Sequence, residues 1–313
     1  MRSPWEIVFF GTPVFALPTL KVLIEGPDPV VAVVTQPDRR KGRGQKVTPA
    51  PVKELALRHG LTVLQPERVK EETFLGYVGT LQPDLFVVVA YGEILPKDLL
   101  AIPKHGAVNV HASLLPKYRG AAPIPWAILR GEEVTGVTTM MMDEGMDTGD
   151  ILLQEKFSVR QKETGASLYE RLASLGASLL RETVEGMKAG SIHPTPQDHT
   201  RATYAPSIKK EDGWIDWKRE AREIDRQVRA LNPWPGAFTR WEGKFLKIVK
   251  GEVREEGSKG RSGTVSWVGA DFISVETGKH SFLIQEIQLE GGKRMAVRDF
   301  LPGHPVSVGT TFS

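Results

Sequence analysis

Apolar residues recur along the first part of the chain in two alternating patterns. Short runs in which every residue is apolar, such as Ile7–Phe10 and Leu85–Ala90, predict strands covered on both faces. Apolar residues at helical spacing predict helices, for example over Ala16–Ile24 and Leu168–Ala189. Strands that alternate with helices are typical of an α/β protein. The pattern therefore predicts a Rossmann-like, doubly wound and mostly parallel sheet for residues 1–189.

The pattern changes after Ala189. Residues 190–207 are rich in proline and short polar residues, which predicts an extended linker. Beyond it, a helix is predicted over Glu220–Leu231, followed by short strands separated by turn residues. These strands are Ala237–Trp241, Phe245–Val249, Gly263–Val268, Phe272–Glu276 and Ser281–Leu289. So many short strands in sequence predict a small OB-like β-barrel for residues 208–313.

Composition narrows the class of protein. The 313 residues are 40% hydrophobic and 25% charged, as in a globular chain of about two domains. Cysteine is absent, which excludes disulfides and thiolate chemistry and favours the cytoplasm. No apolar stretch approaches the ~20 residues of a membrane span, so no membrane contact is expected. The residues from 208 onward carry the whole net charge of +3, and the residues before them have a net charge of zero. This distribution is compatible with a nucleic-acid partner.

The most informative polar residues follow from a predicted strand over Ala107–His111. Alternation along this strand places Asn109 and His111 on one face, and a Ser-Leu-Leu-Pro turn follows. An amide beside a group that titrates near neutrality suits acyl transfer, although such a pair also occurs in ordinary strands. The glycine-flanked acidic loop Met142–Asp150 favours the catalytic interpretation, because it can bring Asp147 to the histidine.

A second polar segment is a glycine-containing loop with five basic residues, namely Arg39, Arg40, Lys41, Arg43 and Lys46. Such a loop is either a solvated surface segment or a clamp for phosphates. Neither this loop nor the turn after the first strand matches a dinucleotide or ATP phosphate-binding motif. The histidines lack the spacing of zinc ligands. We therefore expect no NAD, ATP or metal.

Two further features leave the interpretation open. The segment Val87–Gly92 ends a strand in a small-residue turn, which either lines a pocket for a flat heteroaromatic group or belongs to the core. Three tryptophans of the second half, Trp234, Trp241 and Trp267, are expected to pack in the core or on the barrel rather than to stack on bases.

Taken together, these segments resemble the methionyl-tRNA formyltransferase family over the whole chain. The matching segments are Phe10–Pro13, Thr35–Arg39, Gly42–Gly44, Pro49–Lys53, Val87–Pro96, Asn109–Pro116, Arg119–Pro125, Thr135–Leu152 and Asn232–Pro235. The Asn-x-His strand and its turn are shared with other enzymes that use 10-formyltetrahydrofolate, including those acting on glycinamide ribonucleotide or a UDP-aminosugar. The basic loop and the second domain favour the tRNA family.

The resemblance implies transfer of the formyl group of 10-formyltetrahydrofolate to the α-amino group of initiator methionyl-tRNA by a monomer. Its catalytic residues would be Asn109, His111 and Asp147. The folate, a co-substrate rather than a tightly bound cofactor, would contact Ser113, Leu114, Leu115, Pro116, Val89, Tyr91, Gly92 and Ile94. The tRNA would contact Arg39, Arg40, Lys41, Arg43, Lys46, Lys209 and Lys210.

Two alternatives remain at this point. One is a formyltransferase with the same catalytic residues that acts on a small amine, such as a UDP-aminosugar. The other is an RNA-binding protein without catalysis, for which the set of Asn109, His111 and Asp147 would have no use.

Overall fold

The computed structural model of the protein describes residues 3–41, 46–255 and 260–313. It divides into two compact units. The first unit contains Met1–Pro123, Val134–Ser158 and Tyr169–Pro206, and the second contains Ile124–Glu133, Val159–Leu168 and Ser207–Ser313.

The first unit is built on a seven-stranded sheet in the order β5-β2-β1-β6-β7-β8-β9. Its strands and those of a separate hairpin, β3-β4, are β1 (Ile7–Gly11), β2 (Val30–Val34), β3 (Arg39–Lys41), β4 (Lys46–Thr48), β5 (Val63–Leu64), β6 (Leu85–Val89), β7 (Ala107–His111), β8 (Val134–Met141) and β9 (Ile151–Ser158). Neighbouring strands in the part of the sheet ordered β5-β2-β1-β6-β7 pair in parallel, whereas β8 and β9 pair antiparallel to their neighbours. The predicted mostly parallel sheet is therefore confirmed.

Helices connect these strands and also contribute to the second unit. They are α1 (Leu17–Ile24), α2 (Pro51–Arg58), α3 (Glu72–Thr80), α4 (Lys97–Leu100), α5 (Pro123–Arg130), α6 (Gly165–Ala189), α7 (Ala221–Ala230) and α8 (Val297–Phe300). Of these, α5, α7 and α8 lie almost wholly in the second unit. Strands β1 and β6 are buried at every residue, as their unbroken apolar runs require. The carboxyl ends of these central strands form the edge at which an open α/β sheet binds its ligands.

The basic loop begins and ends in the hairpin β3-β4, where Lys41 pairs with Lys46. Asp38 anchors its base, because its carboxylate accepts hydrogen bonds from Lys53 at 2.6 Å and from Gln65 at 2.9 Å. These contacts, led by the one from Lys53, hold the pKa of Asp38 below its usual value. Arg43 lies outside the described residues.

The segment for which we predict a linker packs along the first unit as far as residue 206. Thr195 forms an antiparallel bridge with Ile151, and Tyr204 forms a parallel bridge with Arg119. The domain boundaries at 189 and 207 stay predictions, but this segment lies beside the turn that follows β7.

The second unit contains an antiparallel sheet of six strands in the order β10-β11-β14-β13-β12, with β15 on β14. The strands are β10 (Ala237–Trp241), β11 (Lys244–Arg254), β12 (Val265–Val268), β13 (Ile273–Glu276), β14 (Ser281–Leu289) and β15 (Met295–Ala296). The C-terminal residues bond to both edge strands, since Arg240 and Ser313 pair and Val265 donates to Thr310. The antiparallel second domain is confirmed, while its OB-like barrel topology stays a prediction.

The prediction of core packing is confirmed for Trp241 and wrong for Trp234 and Trp267. Trp241 is buried in the core of the second unit. Trp234 and Trp267, in contrast, are 63% and 48% exposed. Trp234 lies between two prolines in a loop, and Trp267 lies at an exposed position of strand β12, where its ring packs edge to face against Phe272.

Candidate active site

His111 is the last residue of β7, and acceptors face both nitrogens of its ring. The Nε2 atom lies 2.9 Å from the carbonyl oxygen of Tyr118, and Nδ1 lies 3.6 Å from Oδ1 of Asp147. A carbonyl oxygen only accepts, so Nε2 carries a proton, and the doubly protonated ring can donate to both partners. The Nδ1 distance exceeds a hydrogen bond, as is common in substrate-free active sites.

Asp147 reaches the histidine from the turn between β8 and β9, as the sequence predicted it could. Its second carboxylate oxygen accepts a hydrogen bond of 2.7 Å from the backbone N–H of Gly120. Asp147 has φ = +55°, in the left-handed region that residues with side chains rarely adopt. This backbone conformation needs support from neighbouring groups.

The local sequence provides part of that support. Asp143 closes the turn, since its carboxylate accepts from the N–H of Gly145 and the hydroxyl of Thr148. A Cβ atom at Gly149 would overlap with the carbonyl oxygen of Met141, so only glycine fits there. The acidic loop is thereby a tight turn with one carboxylate aimed at His111.

Asn109 lies on the same face of β7 as His111, one alternation earlier in the strand. Its side chain is half-buried, and it has no hydrogen bond to any other side chain or backbone group that the structure describes. A half-buried amide with free donors next to His111 is available to a developing negative charge.

The residues that sequence reasoning missed act through their backbones. Tyr118 offers its carbonyl oxygen to His111, and Gly120 offers its N–H to Asp147. Both have positive φ, at +61° and +115°. No side-chain chemistry marks such residues in a sequence, although a glycine soon after the catalytic strand is a weak signal of a tight turn.

The residues predicted to contact the folate fall into two groups. The turn after β7 packs against β8, because Thr138 bonds to the backbones of Ser113 and Leu115. Ser113 and Leu115 are fully buried, whereas Leu114 and Pro116 are half-buried and more open. In the other group, Val89 and Tyr91 are buried, and Gly92 and Ile94 are exposed.

A cavity of about 270 Å³ lies at the carboxyl ends of β1, β2 and β6. Its lining contains Thr12, Pro13, Gln36, Pro37, Arg39, Thr48, Ala50, Ala90, Tyr91 and Gly92. Tyr91 is 2% exposed, and burial, with help from the charge of Glu93, raises the pKa of its hydroxyl far above the usual value. The side chain of Gln36 opposes this shift. The cavity therefore combines residues predicted for the folate with Arg39, predicted for tRNA.

The basic residues predicted to contact tRNA lie in both units. Arg39 is exposed and donates to Gln36 at 3.3 Å, and the backbones of Arg40, Lys41 and Lys46 form the hairpin β3-β4. Lys209 and Lys210 are exposed at the start of the second unit. Arg43 is among the residues that the structure does not describe.

Lys210 belongs to what we call the cation–aromatic surface, which consists of Lys210, Trp214, Phe238, Arg240 and Phe245. The three aromatic rings pack edge to face, with centroids 5.4 to 6.1 Å apart. The Arg240 guanidinium lies 5.0 Å from the ring centroid of Phe245, and the Lys210 ammonium lies 5.8 Å from it. Exposed cations held over aromatic rings are suited to nucleic-acid phosphates and bases.

The part of the chain that the structure describes has neither a metal-binding group nor a membrane-spanning helix. No group of three or more histidine or acidic side chains there could hold a metal ion. Within the same ranges, no helix has both the length and the apolarity needed to cross a bilayer.

A histidine between a carboxylate and a backbone carbonyl, at the carboxyl edge of a mostly parallel sheet, is typical of the active site of an α/β enzyme. Comparison with known proteins gives the family. The model of the formyl transferase family matches residues 6–184, and that of the formyl transferase C-terminal domain matches residues 207–305. The chain belongs to the formyl transferase family.

Among proteins similar in sequence are two methionyl-tRNA formyltransferases. A methionyl-tRNA formyltransferase of Trichlorobacter lovleyi is 51% identical over 98% of this chain and 96% of its own length. That of Caldanaerobacter subterraneus is 50% identical over 97% of this chain and 99% of its own.

Solved structures support the fold at lower identity. An N-formyltransferase of Helicobacter canadensis, in complex with folinic acid and dTDP-3-aminofucose, is 20% identical with a TM-score of 0.66, over 90% of this chain and 99% of its own. HypX of Aquifex aeolicus, in complex with tetrahydrofolic acid, is 19% identical with a TM-score of 0.63. The match covers 99% of this chain and 51% of HypX.

Proposed function

We propose that the protein transfers the formyl group of 10-formyltetrahydrofolate to the α-amino group of initiator methionyl-tRNA, giving N-formylmethionyl-tRNA. The observation that carries this proposal is that about half of the residues are identical to those of methionyl-tRNA formyltransferases, over nearly the full length of both chains. Neighbours that act on an aminosugar share only the fold at 20% identity. A small amine substrate therefore fits less well.

The site supports the chemistry as follows. The neutral α-amine attacks the formyl carbon, and the carbonyl oxygen takes up negative charge. Asn109 donates a hydrogen bond to this oxygen, and the protonated ring of His111 stabilises the charge. Loss of one such donor typically costs ~10²–10³ in rate.

The second half of the reaction moves a proton. As the new carbon–nitrogen bond forms, the amine loses a proton, and as the bond to N10 breaks, the folate nitrogen gains one. We assign to Asp147 the relay of this proton and the orientation of the His111 ring, which its contacts with Nδ1 and with the N–H of Gly120 support. The products are formyl-methionyl-tRNA and tetrahydrofolate.

The second unit supports tRNA as the acceptor. The cation–aromatic surface and the neighbouring Lys209 offer charge and stacking area in a domain that holds none of the three catalytic residues. A small substrate would have no use for that combination. We also propose that the enzyme is a monomer, as the family resemblance implies, and that it is cytoplasmic, as its lack of cysteine suggests.

The test is an assay with 10-formyltetrahydrofolate labelled in the formyl group. We expect label on charged initiator tRNA and none on uncharged tRNA or on dTDP- and UDP-aminosugars. Label on an aminosugar, without label on methionyl-tRNA, would replace the proposal with the small-amine alternative. Label on neither would refute the formyl-transfer function itself.

A further inference from the structure

Gln197 is a buried amide in the segment for which the sequence predicts a linker, and it is only 5% exposed. Its Nε2 atom donates to the carbonyl oxygens of Asp147 and Gly149, at 2.9 and 2.7 Å. Its Oε1 atom accepts from the Arg119 guanidinium at 2.6 and 3.2 Å. Because carbonyls only accept and a guanidinium only donates, the orientation of this amide is fixed.

Arg119 is the other end of this connection, and it is 3% exposed. Within the described ranges it has no carboxylate partner, and its guanidinium bonds to Gln197 and to Nδ1 of His199 at 3.1 Å. Its backbone is fixed as well, by bonds of 2.8 Å to Thr203 and Ala205. A buried cation that depends on neutral acceptors is costly, so this arrangement calls for a reason beyond stability.

The reason lies in what the pair connects. Arg119 directly follows Tyr118, whose carbonyl faces Nε2 of His111, and Gln197 holds the backbone of Asp147, whose carboxylate faces Nδ1. The pair therefore ties together the two acceptors on either side of the ring. It also restrains Asp147 in the positive-φ conformation that aims its carboxylate.

We infer that Gln197 is a positioning residue, which, with Arg119, sets the place of Asp147 relative to His111. It touches neither substrate nor reacting atom. Its effect on rate rests on the proposed function, whereas its effect on the histidine ring does not.

The main test replaces Gln197 with methionine, which keeps the volume and removes the amide. We expect kcat to fall about 10- to 100-fold, because small displacements in a catalytic site have such effects, while KM for folate and for tRNA changes less than about threefold. The variant Gln197→Glu keeps an acceptor for Arg119 but loses the donor to Asp147. Its kcat should fall to a similar degree, and this variant replaces Gln197→Met in the test if the methionine variant folds poorly.

A matched control removes a buried hydrogen bond elsewhere in the first unit. Thr183 is fully buried, and its hydroxyl bonds to Thr139 at 2.8 Å and to the carbonyl of Leu179 at 2.7 Å. Thr183→Val should lower stability while leaving kcat unchanged. A loss of kcat in Thr183→Val equal to that in Gln197→Met would show a merely structural role and overturn the inference.

The decisive readout is the ring ¹⁵N spectrum of His111 in the full-length protein without substrate. We expect its pH titration to change in Gln197→Met and to stay as in the wild type in Thr183→Val. When Asp147→Asn is already present, adding Gln197→Met should lower kcat by less than about threefold, because Gln197 and Asp147 act as a unit. An unchanged spectrum, or equal losses in both backgrounds, would overturn the inference. Failure of the wild type to formylate methionyl-tRNA would refute the proposed function alone.

Discussion

The His111 site of the first unit and the cation–aromatic surface of the second unit are built in opposite ways. His111 is 6% exposed, and the two acceptors that face its ring are held by hydrogen bonds, the Tyr118 carbonyl to Nε2 and the Asp147 carboxylate to the N–H of Gly120. Arg240 and Lys210, in contrast, are exposed cations held by aromatic rings rather than by carboxylates. Chemistry at one carbon atom requires fixed geometry, whereas attraction to a polyanion requires only charge within reach.

The difference predicts separable effects. Changes at the His111 site should reduce the rate on every acceptor substrate. Changes on the cation–aromatic surface should reduce affinity for tRNA and make it less dependent on salt. Variants at the two regions therefore differ in which kinetic constant they change.

Replacement of His111 by alanine should lower the rate constant by at least about 10²-fold, since an electrostatic contribution to the transition state is lost. Asn109→Ala and Asp147→Ala should have effects of the same order. Double variants should lose much less than the product of the single effects, because the residues act together. Single-turnover formylation measures the rate, and thermal unfolding serves as the control for folding. Near-wild-type turnover by His111→Ala would refute the catalytic assignment.

Removal of both cations from the second-unit surface, in Lys210→Ala/Arg240→Ala, should raise KM for tRNA about tenfold at moderate salt. The slope of log KM against log salt concentration should fall by the amount expected for the loss of up to about two phosphate contacts. The value of kcat should stay within a factor of two. Glu242→Gln, an exposed change in the turn after β10, is the control. An unchanged salt dependence would show that the surface does not touch tRNA.

Arg43 of the basic loop tests the same separation within the first unit. Arg43→Ala should weaken tRNA use several-fold, and Arg43→Lys less so, because lysine keeps the charge but not the bidentate fork. Folate affinity, measured by fluorescence quenching, should remain as in the wild type. Equal losses of folate and tRNA binding would instead indicate that the loop is structural.

Asp38 gives the smallest expected effect, and it concerns stability. Since hydrogen bonds from Lys53 and Gln65 lower its pKa in the folded state, Asp38 stabilises the fold above the usual Asp pKa, and this contribution is lost as the pH falls through the lowered value. Asp38→Asn should lower the free energy of unfolding by about 1 kcal/mol or less at pH 7. Urea unfolding at pH 7 and pH 3 checks this. A difference that does not shrink at pH 3 would contradict it, and Glu25→Gln at an exposed position is the control.

The fold was predictable where burial leaves a simple pattern. Strands such as β6 are apolar throughout, and β10 and β14 alternate, so their bounds followed closely from the sequence. Strand β9 was missed because one half of it is exposed and reads Gln154-Glu155-Lys156. Trp234 and Trp267 were misjudged because hydrophobicity alone does not distinguish a core position from an exposed aromatic.

The active site was predictable only as far as side chains carry its chemistry. Asn109, His111 and Asp147 stood out by type and spacing, and the structure places Asp147 beside His111. Tyr118 and Gly120 act through backbone atoms, and Gln197 lies in a segment without periodicity, so no pattern marks them. These contacts depend on tertiary structure that brings residues together from distant parts of the chain.

The most direct test of the account compares two substrates for the variant Lys210→Ala/Arg240→Ala: intact methionyl-tRNA and a short methionyl-oligonucleotide that reproduces only its 3′ end. The account predicts a loss of kcat/KM on the intact tRNA and wild-type kcat/KM on the short substrate, with His111→Ala inactive on both. An equal loss on the two substrates would contradict the claim that catalysis and tRNA binding are carried by different regions of the chain.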